Sequence, residues 1–255
     1  MSQMRLPSNV DWRYWVKRFD NMQRRYLVRW EERLAVITRL VQDTQDKTDL
    51  VIGLGCGVGS LTERVLETFK TAKVIAIDFD PTLLLLAESR LAKFGRRVRI
   101  VQEDLRQQSW TDCIEGKADA VVSATTLHWF SAEQLAVLYR QLADILKPGG
   151  MFLNADHVAS ESSAIQKSWE QHRQAMRREE DHGHADSWSE FFQAYAEALD
   201  MDVDGIRQKI IGQWVAVEEG LPLAWHFDQL RECGFSSVDC FWRCDCDAVY
   251  GAIRG

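Results

Sequence analysis

The chain has no run of about eighteen apolar residues, the length a helix needs to cross a bilayer, so no membrane-spanning segment is expected. Met1 to Pro7 carry no apolar run behind a basic end, which gives no sign of a secretory signal. Six cysteines are too few and too unevenly spaced for a secreted disulfide scaffold, and they lack the paired Cys-x-x-Cys pattern of a zinc site. Positive charge is in deficit, with 31 Lys and Arg against 38 Asp and Glu and a net charge of −7, which argues against a nucleic-acid partner. Internal repeats and low-complexity tracts are also missing. These absences leave a soluble, reducing, cytoplasmic protein as the expectation. What is present is ordinary globular usage, 46% hydrophobic and 27% charged over 255 residues, enough for one α/β domain with a full core. Ten tryptophans exceed what a plain core needs and suggest an aromatic-lined cavity or interface.

Segment 9–42 repeats apolar residues at three- and four-residue steps, from Trp12, Trp15 and Phe19 through Trp30, Leu34 and Ile37. It reads as one long helix, or two with a bend near Val28, either packed on a core or forming a lid. From residue 49 short apolar runs alternate with helical patterns. Strands are expected at 50–54, 74–77, 98–102, 120–123 and 151–155, and helices at 60–69, 81–93 and 131–146, the last stopped by Pro148-Gly149-Gly150. This alternation predicts a parallel sheet with helices on both faces and right-handed crossovers. Segment 157–220 is longer, polar and helical in pattern, and reads as an inserted cap. A helix over 222–233 and two strands, 238–243 and 248–253, joined by a short antiparallel connection, close the chain. The expected division is a lid at 1–48, a ligand-binding core at 49–156, the cap at 157–220 and a completing helix and strand pair at 221–255.

The most informative stretch is Val51-Ile52-Gly53-Leu54-Gly55-Cys56-Gly57-Val58-Gly59, with four glycines at alternate positions between a strand and a helix. Glycine lets a ligand approach the backbone, and the next helix offers unpaired N–H groups where open parallel sheets bind ligands. A phosphate-cradling loop needs Gly-Lys-Ser/Thr, and here Gly59-Ser60-Leu61 stands instead. A dinucleotide fingerprint needs a third glycine where Ser60 lies. The spacing fits a nucleoside with an amino-acid tail better. Asp78 ends the second strand, nineteen residues after Gly59, where a carboxylate can accept from both ribose hydroxyls. Asp104 ends the third strand, placed for an adenine amino group, with Leu105 and Phe79 as ring-packing candidates. For each acid alone, a surface carboxylate at a strand end is an even alternative.

On these residues the chain resembles the class I S-adenosylmethionine-dependent methyltransferases. The likeness runs through the glycine loop, "VIAIDFDP" (74–81), "VQEDL" (101–105), "ADAVVSATTLHW" (118–129) and "LKPGGMFL" (146–153), strongly over 49–156 and more loosely over 222–255. It implies a Rossmann-like α/β fold with a seven-stranded sheet, mostly parallel with an antiparallel last strand, and S-adenosyl-L-methionine as cofactor. "TTLHW" and the tail "FWRCDCDAVYGAIRG" resemble the small-molecule branch that includes trans-aconitate methyltransferase, and the tail is faintly similar to carboxy-S-adenosylmethionine synthase of tRNA modification. The donor-binding set is Gly53, Gly55, Cys56, Gly57, Gly59, Asp78, Phe79, Asp104, Leu105 and Ser123, and Arg29 with Tyr26 is a candidate to reach the donor's carboxylate from the lid helix, with a solvated helix face as the alternative. One departure stands out. The family carries an acidic residue two positions before Gly55 to hold the donor's ammonium, and this chain has Gly53.

Methyl transfer from a sulfonium is an in-line displacement, so the protein supplies alignment and dryness rather than a triad. The loop Thr125 to Trp129 should face the methyl group. His128 is the candidate general base, with a structural histidine as the plainer reading. Asp156 and His157 are candidates for the acceptor pocket, and Arg173, Arg177 and Arg178 for an anionic acceptor, with solvated loop and helix faces as their alternatives. His172, His182 and His184 with Asp181 and Asp186 lack tight metal-site spacing, and no metal is expected. Three functions stay open: a small-molecule methyltransferase, a donor-binding module without catalysis, and an RNA-modifying enzyme using the donor or a carboxylated form. A small-molecule acceptor is the expected partner, without membrane or nucleic acid, in a monomer or homodimer.

Overall fold

The structure is a computed structural model that describes residues 6–179, 185–211 and 220–255. His182, His184, Asp181 and Trp214 therefore lie outside the described residues.

The period-two pattern of the strands becomes a sheet buried on both faces. Along β4 (Ala118–Ala124), Ala120 and Val122 point to one cluster and Val121 to the other. Along β5 (Leu146–His157), Met151, Leu153 and Ala155 alternate with Phe152 in the same way. β1 (Leu50–Leu54), β2 (Lys73–Asp78) and β3 (Val98–Gln102) complete the parallel part. β6 (Phe235–Cys244) and β7 (Asp247–Arg254) form a hairpin in which β7 runs antiparallel to both β5 and β6. The seven strands lie in the order β3-β2-β1-β4-β5-β7-β6, as the expected sheet with an antiparallel last strand requires. The order reverses between β1 and β4, which opens the crevice where such sheets take ligands.

Helices cover both faces. On one side lie α2 (Trp30–Thr44), α3 (Ser60–Thr68) and α4 (Pro81–Leu91), through Leu34, Ile37, Val65 and Leu84. On the other lie α5 (Ala132–Ile145) and α9 (Leu223–Glu232), through Leu138, Tyr139, Leu142 and Leu230. Local chemistry starts these helices where the sequence suggests. Asp80 caps α4 by accepting from the Thr82 and Leu83 N–H groups with Pro81 in the first turn, and Ser131 with Gln134 forms a reciprocal cap on α5.

The amino-terminal segment divides at the expected bend. α1 (Trp12–Tyr26) stops at Leu27, and Arg29 takes a left-handed φ of 52° before α2. The two halves differ in role. α2 is a core helix, with Leu34 and Ile37 fully buried, so segment 9–42 is not a lid throughout. α1 joins the cap instead. The cap contributes α6 (Ser163–Glu179), α7 (Trp188–Leu199) and α8 (Val203–Ile211). Trp15 and Phe19 of α1 meet Phe191 at 5.7 and 5.3 Å between ring centroids, over Leu85 and Leu86 of α4. Arg18 pairs with Asp186 at 2.6 Å across the same seam. All six cysteines are free thiols.

Candidate functional site

β1 delivers the chain into the crevice, and the glycine loop turns there. Gly55 and Gly57 have φ of +56° and +51°, values that suit glycine over any residue with a Cβ. Their surroundings differ sharply. A Cβ on Gly55 would come within 2.1 Å of the Thr126 methyl, whereas one on Gly57 would meet nothing within 4 Å. The loop is pinned from both sides. Thr126 donates its hydroxyl to the Gly55 carbonyl at 3.0 Å, and the Gly57 N–H donates to the Asp78 carboxylate at 2.7 Å. The other Asp78 oxygen accepts from the Asp80 N–H at 2.9 Å.

These groups line a cavity of about 160 Å³, along with Gly53, Cys56 and Phe79. Asp78 is 6% exposed, and burial pushes its carboxyl up to about 6 although backbone N–H groups oppose the shift. It is ionised at neutral pH and close to its switching point. Burial raises the Cys56 thiol well above its ordinary value, so that sulfur is an inert wall rather than a nucleophile. The Ser60 hydroxyl, in the first turn of α3, is buried with no hydrogen-bond partner and lines the cavity. A buried unpaired hydroxyl beside a helix N-terminus leaves room for an anionic group on a ligand.

The roof comes from distant sequence. Phe19 and Gln23 of α1, Trp30 of α2, Trp129 from the loop after β4 and Trp188 of α7 close over the loop. Arg207 of α8 enters from the side, bound to Asp80 and stacked 3.8 Å from the Phe192 ring centroid. Sequence reasoning missed Asp80, Gln23 and Arg207. The surplus of tryptophans signalled an aromatic wall, but no local pattern marks which ones build it.

Five of the expected donor-binding residues, and the expected base, make contacts of their own outside the cavity lining. Gly59 caps α3 with φ of +82°, and a Cβ there would strike Leu91 at 2.9 Å, so helix packing requires glycine there. Asp104 grips Arg106 at 2.7 Å; burial disfavours its charge, but Arg106 outweighs this and holds the carboxyl below its usual range. Leu105 is buried in the core cluster with Trp110. Ser123 is fully buried and donates to the Leu54 carbonyl at 3.1 Å, tying β4 to β1. Arg29 has a side chain 54% exposed and pairs with Glu32 at 3.6 Å, because its left-handed backbone turns it outward. None of these five, nor His128, is among the described residues lining the cavity.

His128 belongs to a second polar centre, at the ends of β5 and β7. Its Nδ1 lies 2.6 Å from Asp156, and Asp156 also accepts from the Leu127 N–H at 2.8 Å. Burial works against the Asp156 charge, but His128 outweighs it and keeps the carboxyl ionised. His157 lies 2.7 Å from Asp247, which Arg33 contacts at 3.3 Å. Burial lowers the His157 pKa, and for Asp247 burial is outweighed by His157 and Arg33, which keep it charged. The two imidazole rings are 5.0 Å apart, and His128 is likewise 5.0 Å from Trp129 of the cavity wall. Arg173 reaches His157, and Arg177 donates to the Tyr26 carbonyl. Arg178 has no bond or ion pair among the described residues. His172 faces Asp245 and Asp186 faces Arg18, so these two members of the weighed metal set hold no shared site.

Residues 51–150 match the family model of a methyltransferase domain. The chain is similar to carboxy-S-adenosyl-L-methionine synthase from Campylobacter lari, 24% identical over 58% of this chain and 62% of that protein. It is also similar to malonyl-[acyl-carrier protein] O-methyltransferase from Priestia megaterium, 26% identical over 54% of this chain and 48% of that one. The structure of an O-methyltransferase family protein from Burkholderia thailandensis superposes with a TM-score of 0.55 at 18% identity, over 96% of this chain and 70% of that one. The chain thus spans less than two thirds of either curated relative, while the solved structure shares its fold. The matched stretch runs from β1 through β4 and α5 into the start of β5, so the likeness to a methyltransferase domain falls on the part of the sheet that carries the glycine loop.

Proposed function

We propose that the protein is an S-adenosylmethionine-dependent methyltransferase acting on a small-molecule acceptor. The observation that carries this reading is the open face of Gly57 held against the Asp78 carboxylate in the cavity, within a matched methyltransferase domain. S-adenosylmethionine supplies the electrophilic methyl carbon. Asp78, ionised near neutral pH, accepts from the ribose hydroxyls, and the bare backbone at Gly57 allows close approach. The unpaired Ser60 hydroxyl and the first turn of α3 take the carboxylate of the amino-acid tail. Gly53 brings no acid to the ammonium, which backbone carbonyls or water must then serve. The tryptophan walls exclude water from the reacting centre. His128 is the proposed base: with its Nδ1 hydrogen held by Asp156, Nε2 is left to accept a proton. A carboxylate acceptor needs no such help, whereas a phenol or amine does.

Calorimetry tests the donor site. S-adenosylmethionine is expected to bind, and Asp78→Ala to weaken it strongly; unchanged affinity in that variant removes the ribose contact. A screen of metabolites with labelled donor tests catalysis, and a donor that binds without any turnover supports a binding-only module. Gly53 favours one second reading, a carboxylated donor, and mass analysis of nucleosides co-purified with the protein separates the two donors.

A further inference from the structure

The polar centre at the ends of β5 and β7 is electrostatically unfinished. Arg33, 0% exposed, has Nε and Nη2 without partners, and the Nε atoms of Arg173 and Arg177 are buried and unpaired as well. A buried unpaired N–H is costly, and four of them converging on one place call for a missing acceptor. Arg173 and Arg177 also stand four residues apart on α6, where like charges repel, and burial together with the neighbouring Arg173 charge lowers the Arg177 pKa. The contact of Arg173 with His157 Nδ1, at 3.4 Å, does not relieve this, because that nitrogen donates to Asp247 at the shorter 2.7 Å. Three guanidinium groups act on one carboxylate, Asp247, while Asp156 is taken by His128, so positive charge is in excess before either imidazole is protonated.

We infer that Arg33, Arg173 and Arg177 hold the carboxylate of the acceptor, and that the acceptor is methylated on a different atom. A carboxylate offsets the excess, and the planar fork of arginine matches it in two-point contact. A carboxylate held by three cations has its lone pairs engaged, which makes it an anchor rather than a nucleophile. Position supports the same division. The glycine loop leaves β1, and the arginines gather past β4 at β5 and β7, so two strand spacings, about 10 Å, separate the loop from the end of β5. His128 stands between them, touching Trp129 on one side and His157 on the other. Tyr26 and Arg177 also edge a groove that opens to solvent, with Arg25, Gln174 and Arg178 as its other lining residues. The acceptor class is therefore a hydroxy- or amino-carboxylate with its two groups several bonds apart. Its oxygen or nitrogen lone pair forms the new bond to the methyl carbon as the carbon–sulfur bond breaks with its electrons moving to sulfur, and the acceptor's proton passes to His128 or water.

This inference rests on the proposed methyl transfer, but its binding arm does not. Calorimetry and thermal shift with acetate, succinate and phenylacetate should show binding by at least one, with phenylacetamide inert. Arg173→Gln and Arg177→Gln should each weaken it at least tenfold while raising the melting temperature of the ligand-free protein, since an unpaired, repelling charge is removed. A structural role predicts the reverse, a lower melting temperature. Arg173→Lys should bind with intermediate affinity, and the exposed Arg39→Gln should behave as wild type. Arginine-independent binding, or inorganic phosphate binding as tightly as the carboxylates, overturns the assignment. In a turnover screen, methyl esters formed on the carboxylate itself overturn the anchor role. If S-adenosylmethionine fails to bind while phenylacetate does, the donor reading falls and the anion site stands; the opposite pattern removes the anion site alone.

Discussion

At the end of β1 the chain presents backbone N–H groups, small residues and one carboxylate, whereas at the ends of β5 and β7 it presents three guanidinium groups, two imidazoles and two carboxylates. The first region is nearly complete without a ligand. Asp78 accepts backbone hydrogen bonds from Gly57 and Asp80, Thr126 satisfies the Gly55 carbonyl, and the Ser60 hydroxyl is left over among the described residues. The second region has four unpaired guanidinium nitrogens. The contrast teaches that the loop is built to be shaped by its own backbone, while the far side depends on a partner for its charge balance. A site made of backbone is stable when empty, and a site made of buried like charges is not.

The comparison breaks most visibly at Asp247. Asp247→Asn strips Arg33 of its one carboxylate and is expected to destabilise the fold by about 3–5 kcal/mol, measured by denaturant unfolding, because it leaves an uncompensated buried charge. A small loss would mean that the far side is better solvated than its burial indicates. On the near side, Asp78→Ala removes charge-assisted bonds of about 1.5–3 kcal/mol, so donor affinity should fall roughly 10- to 100-fold by calorimetry.

Gly55 and Gly57 sharpen the comparison within the loop. Gly55→Ala combines left-handed strain with a collision against Thr126 and should lower the melting temperature clearly, with the strain alone about 1–3 kcal/mol. Gly57→Ala carries only the strain, and its Cβ enters the open cavity, so it should lower donor affinity more than stability. Equal effects of the two on melting temperature would contradict the open face of Gly57.

The smallest effect is the pH dependence. The Asp78 carboxyl is raised by burial to about 6, above its unfolded value, so its contribution to stability is present at low pH and is lost as pH rises through about 6. Donor binding has the opposite sign, since the ribose needs the ionised form. Affinity should therefore drop below pH 6, by up to about tenfold per unit. Calorimetry over pH 5–8 checks this, and Asp78→Asn should flatten the profile.

The backbone of the near side is legible in the sequence. The glycine spacing, Asp78 and Phe79 are local marks, because a strand, a tight turn and a helix start impose their residues over a dozen positions. Other residues of the same motif also serve the fold. Gly59 was enlisted by Leu91, Ser123 by the Leu54 carbonyl and Asp104 by Arg106, contacts that spacing alone does not reveal. Arg29 reads as a donor contact or a solvated helix face, and it sits exposed at the break between two helices. The far side left only scattered hints, Asp156, His157, Arg173 and Arg177 among them. Arg33 and Asp247 carried none, being separated by most of the chain.

By itself the amino-acid sequence determined the alternating strands and helices, the doubly buried sheet and the loop chemistry at the end of β1, because periodicity, capping and turn geometry act over short distances. Only the tertiary structure decided which aromatics close the cavity and that Arg33, Arg173 and Arg177 face Asp247 together. Charge balance in a buried site is a property of residues that meet in space, and the chain order of α2, β5, α6 and β7 conceals that meeting.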